Sequence, residues 1–273
     1  MKAVAYEAVT NQIVAAMEKG IIPWKKSWGK SMPRNAVSNK VYKGINFFLL
    51  SMTYHTDQRW LTYNQASTLG GQVRKGEKSM PVVLWKWLKN EKDETFPIIR
   101  YYNVFNVSQI DGLKLSQVDE QEVQINCDAE SIVSGYDGPK IEFRGCQPCY
   151  IPSLDTIRIP GIENFDTSDE YYSTMFHEMI HSTGHPDRLK RDLGNRFGSE
   201  LYSIEELVAE LGAAFLCNAS GIDNTIENNA AYLQSWMKAF KSDPKMLVQA
   251  AGKAQKSANY VLGIKEHEEE STE

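Results

Sequence analysis

Three of the five histidines in this chain fall between positions 177 and 185, and two of them, His177 and His181, belong to the run His177-Glu178-Met179-Ile180-His181. The surrounding stretch reads as one long helix from about Thr167 to Thr183, stopped by Gly184. Four helical residues turn the chain by about 400°, so the two imidazoles share a face, about 40° apart in projection and one turn along the axis. That is the bite that Zn²⁺, or another divalent cation, needs from two nitrogen donors. Glu178 sits beside them, placed to reach a water activated at the metal rather than the metal itself. It is the expected general base as that water attacks a carbonyl.

A catalytic zinc takes three protein ligands and keeps one position open, so a third donor is needed. One candidate is Asp187, because His177 to Asp187 fits the shape H-E-x-x-H-x-x-G-x-x-D, with Gly184 turning the chain back to the metal. The other lies in Glu205-Glu206-Leu207-Val208-Ala209-Glu210. Glu206 and Glu210 share a helix face. In thermolysin-like and related glutamate zincins the first acidic residue of such a pair is the ligand. Glu206 is therefore the expected ligand, with Glu210 holding a ligand histidine through its far nitrogen. Leu207, Val208, Leu211 and Ala214 place much of this helix in a core. Tyr202 and His185 are candidate donors to an oxyanion. Cys146-Gln147-Pro148-Cys149 has the C-x-x-C shape but no second pair, and reads as ordinary thiols.

The formal net charge of −5 hides an asymmetry. Residues 1–118 carry 17 Lys and Arg against 8 Asp and Glu, whereas residues 119–273 carry 13 against 27. Five of the six tryptophans precede residue 118. A basic, aromatic-rich half fits a binder of single-stranded DNA, which stacks bases on rings and neutralises phosphates. The candidate contacts are Trp24, Lys25, Lys26 and Trp28 in one loop, Arg74, Lys75 and Lys78 in a glycine-flanked loop, and Trp85, Lys86 and Trp87 on a strand. In that strand the alternation puts both indoles on one face. Tyr101-Tyr102-Asn103-Val104-Phe105 reads as a second aromatic strand.

The split suggests two modules: an α+β single-stranded-DNA-binding domain over 1–118, and a mostly helical domain with a small sheet over 119–265. Residues 266–273 form an acidic tail with nothing to pack. Helices are expected over Tyr6–Lys19, Gly44–His55, a short stretch capped by Thr62, and then about Ser203–Ser220, Glu227–Lys241 and Pro244–Val261. A β-hairpin is expected over 80–88 and 98–107, and short strands over Lys140–Arg144, Cys149–Ile151 and Thr156–Ile159. Residues 108–122 read as a connection. No run of about 18 apolar residues is present to span a membrane. Neither a secretory leader nor a disulfide framework is apparent, which makes the cytoplasm the expected location.

These residues also carry a resemblance. Asn46-Phe47, Trp60-Leu61-Thr62-Tyr63-Asn64-Gln65-Ala66, Gly70-Gly71-Gln72-Val73-Arg74-Lys75-Gly76-Glu77 and Tyr101-Tyr102-Asn103-Val104-Phe105-Asn106-Val107 resemble the ssDNA-binding domain of ArdC-type antirestriction proteins. That domain also occurs near the N-terminus of some plasmid DNA primases. Phe176-His177-Glu178-Met179-Ile180-His181-Ser182-Thr183-Gly184-His185, Arg188-Leu189 and Glu205-Glu206-Leu207-Val208-Ala209-Glu210-Leu211 resemble the same family's zincin-like metallopeptidase domain. Ser203 stands where the family commonly has alanine. The resemblance implies a DNA-binding module fused to a zincin, protecting incoming mobile DNA from restriction, with an unidentified protein target. Two other readings stay open: a DNA-tethered metalloprotease of repair or replication, and a DNA-binding protein with a non-catalytic metal site.

Overall fold

The computed structural model describes residues 2–24, 32–53, 55, 57–89, 95–113, 115, 128–145, 147–193, 200–224 and 230–265. These fall into two units, one of residues 2–23 and 32–115, the other of residues 24 and 128–265. The architecture is α+β.

The first unit runs α1 (Lys2–Met17), β1 (Arg34–Asn35), α2 (Ile45–Ser51), β2 (Arg59–Thr62), α3 (Tyr63–Thr68), β3 (Gln72–Val73), β4 (Met80–Lys89), β5 (Thr95–Asn106) and β6 (Ile110–Asp111). A four-stranded sheet has the order β1-β2-β5-β4, and β3 pairs with β6. The expected hairpin is β4–β5, in antiparallel register from Met80 opposite Val104 to Lys89 opposite Thr95. Strand β2 was hidden from sequence inspection, because four residues hold too little alternation to show a period. Adjacent strand residues point to opposite faces, so Trp60 and Leu61, both fully buried, seed two cores. Trp60 packs with Leu50, Val82 and Val104; Leu61 packs with Ala66, Val107 and Ile110. Thr62 ends the strand and caps α3: its hydroxyl accepts from Gln65 N at 3.3 Å, and Gln65 Oε1 accepts from Thr62 N at 2.9 Å. This reciprocal box satisfies two donors that a helix start otherwise leaves open.

The second unit contains α4 (Ala129–Gly135), β7 (Lys140–Phe143), β8 (Cys149–Ile151), β9 (Thr156–Ile159), α5 (Ser168–Ser182), α6 (Glu200–Ser220), α7 (Ala230–Ser242) and α8 (Lys245–Val261). Its sheet has the order β7-β9-β8, parallel then antiparallel. Sequence inspection gave no element at α4, which is under two turns long. Thr167 caps α5 by accepting from Glu170 N at 3.1 Å. Met175, Phe176, Met179 and Ile180 on α5 are buried, as are Leu207, Val208, Leu211 and Ala214 on α6. The two helices approach closely because α6 has no side chain at Gly212, where a Cβ would lie 2.8 Å from Ile180. A mid-helix glycine costs about 1 kcal/mol against alanine; here it lets α6 settle on α5 at the level of the histidines. The acidic tail, 266–273, lies outside the described residues. No helix of the described residues is long and apolar enough to cross a membrane.

Candidate metal centre

Helix α5 presents His177 and His181 on one face, and α6 brings Glu206 against both. The two Nε2 atoms are 3.1 Å apart. Glu206 places Oε2 3.6 Å from His177 Nε2 and Oε1 3.4 Å from His181 Nε2. Two metal–nitrogen bonds of about 2.0–2.1 Å at a tetrahedral angle span about 3.3–3.4 Å, so the three donors are spaced as ligands of one ion. Among the described residues they are the group with ligand atoms close enough to hold a metal. All three side chains are 13% exposed. The donor set of two imidazoles and a carboxylate suits zinc and its divalent neighbours.

The electrostatics follow from this crowding. Burial drives Glu206 toward its neutral form, but the neighbouring imidazoles of His177 and His181 outweigh it and hold the carboxyl well below the usual range. Burial also opposes a charge on His181, yet Glu205 and Glu206 lift it to about 10. His177 is raised against burial too, chiefly by Glu206, with Glu178 and Glu210 adding through their charge. A site of this charge balance is built for a cation.

Glu178 is 7% exposed and lies beside the ligand pair without joining it. Glu210, expected to hold a ligand histidine, is buried on α6 and acts on His177 through its charge. The carboxylate that holds a far nitrogen is Glu205: His181 Nδ1–H donates to its Oε1 at 3.2 Å. Sequence reasoning passed over Glu205 because periodicity places it on α6 without saying which way α6 faces α5. It also passed over Arg191, whose guanidinium grips Glu205 at 2.6 and 3.0 Å; an arginine in a polar loop carries no periodic signal. Asp187 is turned away: its side chain is 88% exposed, with Oδ2 3.6 Å from His185 Nδ1. His185 Nδ1 accepts from Asp187 N–H at 3.2 Å, which puts the ring proton on Nε2, as a donor requires. Tyr202 lies on α6, with its side chain outside the described residues. Of the C-x-x-C pair, Cys149 is a free thiol on β8 and Cys146 lies outside the described residues.

The expected DNA contacts divide. Trp24 is corrected outright: its indole is 1% exposed, belongs to the second unit, and stacks edge-on against Trp236 with centroids 6.0 Å apart. Its carbonyl accepts from Asn224 Nδ2 at 2.9 Å. A ring so enclosed has no face for a base. Arg74 braces its own loop, donating to Asp111 at 3.1 Å, Glu77 at 2.8 Å and Ser108 O at 2.7 Å. Lys75 and Lys78 project from that braced loop into solvent. On β5, Arg100, Tyr101 and Tyr102 are exposed, the tyrosines by 42% and 37%. Lys25, Lys26 and Trp28 lie outside the described residues, as do the side chains of Trp85, Lys86 and Trp87.

Known proteins resemble this chain across both units. Residues 3–124 match the N-terminal domain of anti-restriction factor ArdC, and residues 128–253 match a zincin-like metallopeptidase. A DNA primase TraC from Escherichia coli is 35% identical over 98% of this chain, which spans only 28% of that protein's length. Crystal structures of the antirestriction ArdC protein from the R388 plasmid superimpose along nearly the whole chain. The metal-free form is 34% identical with a TM-score of 0.77, and the Mn(II)-bound form is 35% identical with a TM-score of 0.79. Each comparison covers 95% of this chain and 97% of the other. The chain belongs to the ArdC antirestriction family.

Proposed function

We propose that this protein binds single-stranded DNA through its first unit and hydrolyses peptide bonds at a divalent-metal site in its second, protecting incoming mobile DNA from restriction. The observation that carries the reading is the convergence of His177, His181 and Glu206 with Glu178 buried beside them and left out of the ligand group. A closed structural site has no use for such a carboxylate. A bound divalent cation supplies electrophilic activation of water and of the scissile carbonyl. The chain's own residues do the rest. His177, His181 and Glu206 hold the ion, Glu205 fixes the ring of His181, and Glu178 accepts the proton of the attacking water and returns it to the leaving amine. Zn²⁺ is the expected ion, and the Mn(II) in the R388 protein shows that a relative accepts another. The DNA reading is supported by the basic balance of the first half, the braced loop carrying Lys75 and Lys78, and the exposed Tyr101 and Tyr102.

The test uses the full chain. Fluorescence anisotropy should show tighter binding to single strands than to duplex, with little sequence preference and steep weakening by salt. Delivery of unmodified mobile DNA into a restricting host, with wild type and Glu178→Gln compared, then asks whether hydrolysis is the protective step. Unchanged protection by Glu178→Gln excludes hydrolysis and leaves DNA occupancy as the mechanism. Absence of single-strand affinity at low salt sinks the two-module reading.

A further inference from the structure

Arg191 lies in the segment that follows α5, and its side chain is 8% exposed. A guanidinium has five N–H donors, and all five are taken. Nε donates to Glu205 Oε2 at 3.0 Å and Nη2 to Glu205 Oε1 at 2.6 Å. Nη2 also donates to Ile180 O at 2.8 Å. Nη1 donates to Thr183 Oγ1 at 2.6 Å and to Ser257 Oγ at 2.8 Å. The two hydroxyls can accept because each sends its own proton elsewhere, Thr183 to Ile180 O and Ser257 to Lys253 O. One side chain therefore joins the end of α5, α6 and α8 around Glu205. The fork is planar and fits a carboxylate in one orientation. Held so, Glu205 keeps Oε1 turned to His181 Nδ1 at 3.2 Å.

We infer that Arg191 is a positioning residue for the metal site, acting through Glu205 to fix the ring orientation and tautomer of His181. With Nδ1–H committed to Glu205, it is Nε2 that faces Glu206 and His177 and, on losing its proton, gives its lone pair to a cation held there. The inference rests on the reading of His177, His181 and Glu206 as ligands. It adds that their affinity for metal depends on a residue that touches none of them. A lysine at 191 keeps the charge but offers three donors and no fork, so it cannot orient the carboxylate in the same way.

Chelator competition on the full-length protein, with Zn²⁺ and with Mn²⁺, measures the effect, while circular dichroism and thermal melting report the fold. Arg191→Lys should weaken metal binding about 10- to 100-fold, the range for a lost outer partner of a ligand, while Ser257→Ala should stay within about 2-fold of wild type. Ser257→Ala removes a contact of Arg191 on the side away from Glu205, so it reports a merely structural role. Equal losses in the two variants, or wild-type affinity in a folded Arg191→Lys, overturn the inference. Should Arg191→Lys fail to fold, Glu205→Gln decides: a loss of about 10-fold supports the brace, and unchanged affinity overturns it. If the wild-type chain takes up neither ion, the metal-site reading falls, and the role of Arg191 with it.

Discussion

His177 Nε2 and His181 Nε2 face each other at 3.1 Å, close to the edge of a tetrahedron of donors around a small divalent ion. Glu206 closes the triangle from the next helix. Replacing Glu206 or His177 by alanine should lower metal occupancy by about 10-fold or more, whereas Asp187→Ala should leave it unchanged. Metal analysis of purified variants checks this. Loss of metal in Asp187→Ala with retention in Glu206→Ala would move the third ligand into the loop after α5.

Glu178 separates chemistry from scaffolding. Glu178→Gln keeps the size of the side chain but cannot take a proton from water. The variant should fold, keep its metal and bind ssDNA as wild type does, while any peptide hydrolysis falls by about 10²- to 10⁴-fold. Peptidase assays with and without ssDNA measure the fall. A variant as active as wild type would remove Glu178 from the mechanism.

Metal uptake should depend on pH in a defined direction. Burial disfavours the charged form of His181, but Glu205 and Glu206 lift its pKa to about 10, so through the neutral range a cation must displace a proton from it. Affinity should rise about tenfold per pH unit for each proton displaced. Calorimetry in buffers of different ionisation enthalpy should register proton release. Affinity that is flat between about pH 6 and 8 contradicts this displacement.

Gly212→Ala tests the seat of Glu206. The added methyl group meets the Ile180 side chain at 2.8 Å, which forces α6 away from α5. Alanine favours a helix by about 1 kcal/mol over glycine, so a variant governed by propensity would be more stable. The expected result is the opposite: a lower melting temperature together with weaker metal binding. A stabilised protein with unaltered metal affinity would show that the helix contact yields without cost.

The sequence made the candidate metal-binding helix legible because such a site has helical spacing: His177 and His181 repeat at four residues, and Thr167 and Gly184 mark the ends. The hairpin and the capping role of Thr62 were legible for the same local reasons. What was not legible depends on rotation and crossing. Glu205, Glu206 and Glu210 all lie on α6; Glu206 is expected as ligand by likeness to the glutamate zincins, but only the packing of α6 on α5 decides that Glu205 meets His181 Nδ1. Arg191 gains its role by joining three separate elements, α5, α6 and α8. Trp24, followed by two lysines, looks like a stacking residue until the burial against Trp236 is seen. Strands as short as β1, β3 and β6 are formed by their neighbours rather than by their own composition.

The place of Trp24 makes the seam between the two halves less clean than the family boundaries at 124 and 128 suggest. A gene fragment that starts at residue 128 encodes His177, Glu178, His181, Glu206 and Arg191, yet omits the indole that fills the space beside Trp236. Emptying a buried tryptophan site costs about 3–5 kcal/mol, a large part of the stability of an ordinary domain. Recombination that exchanged one half alone would hand the recipient a second unit with a hole beside Trp236. A match that runs across 98% of this chain, as in the primase relative, spans position 24 and the core around Trp236 alike.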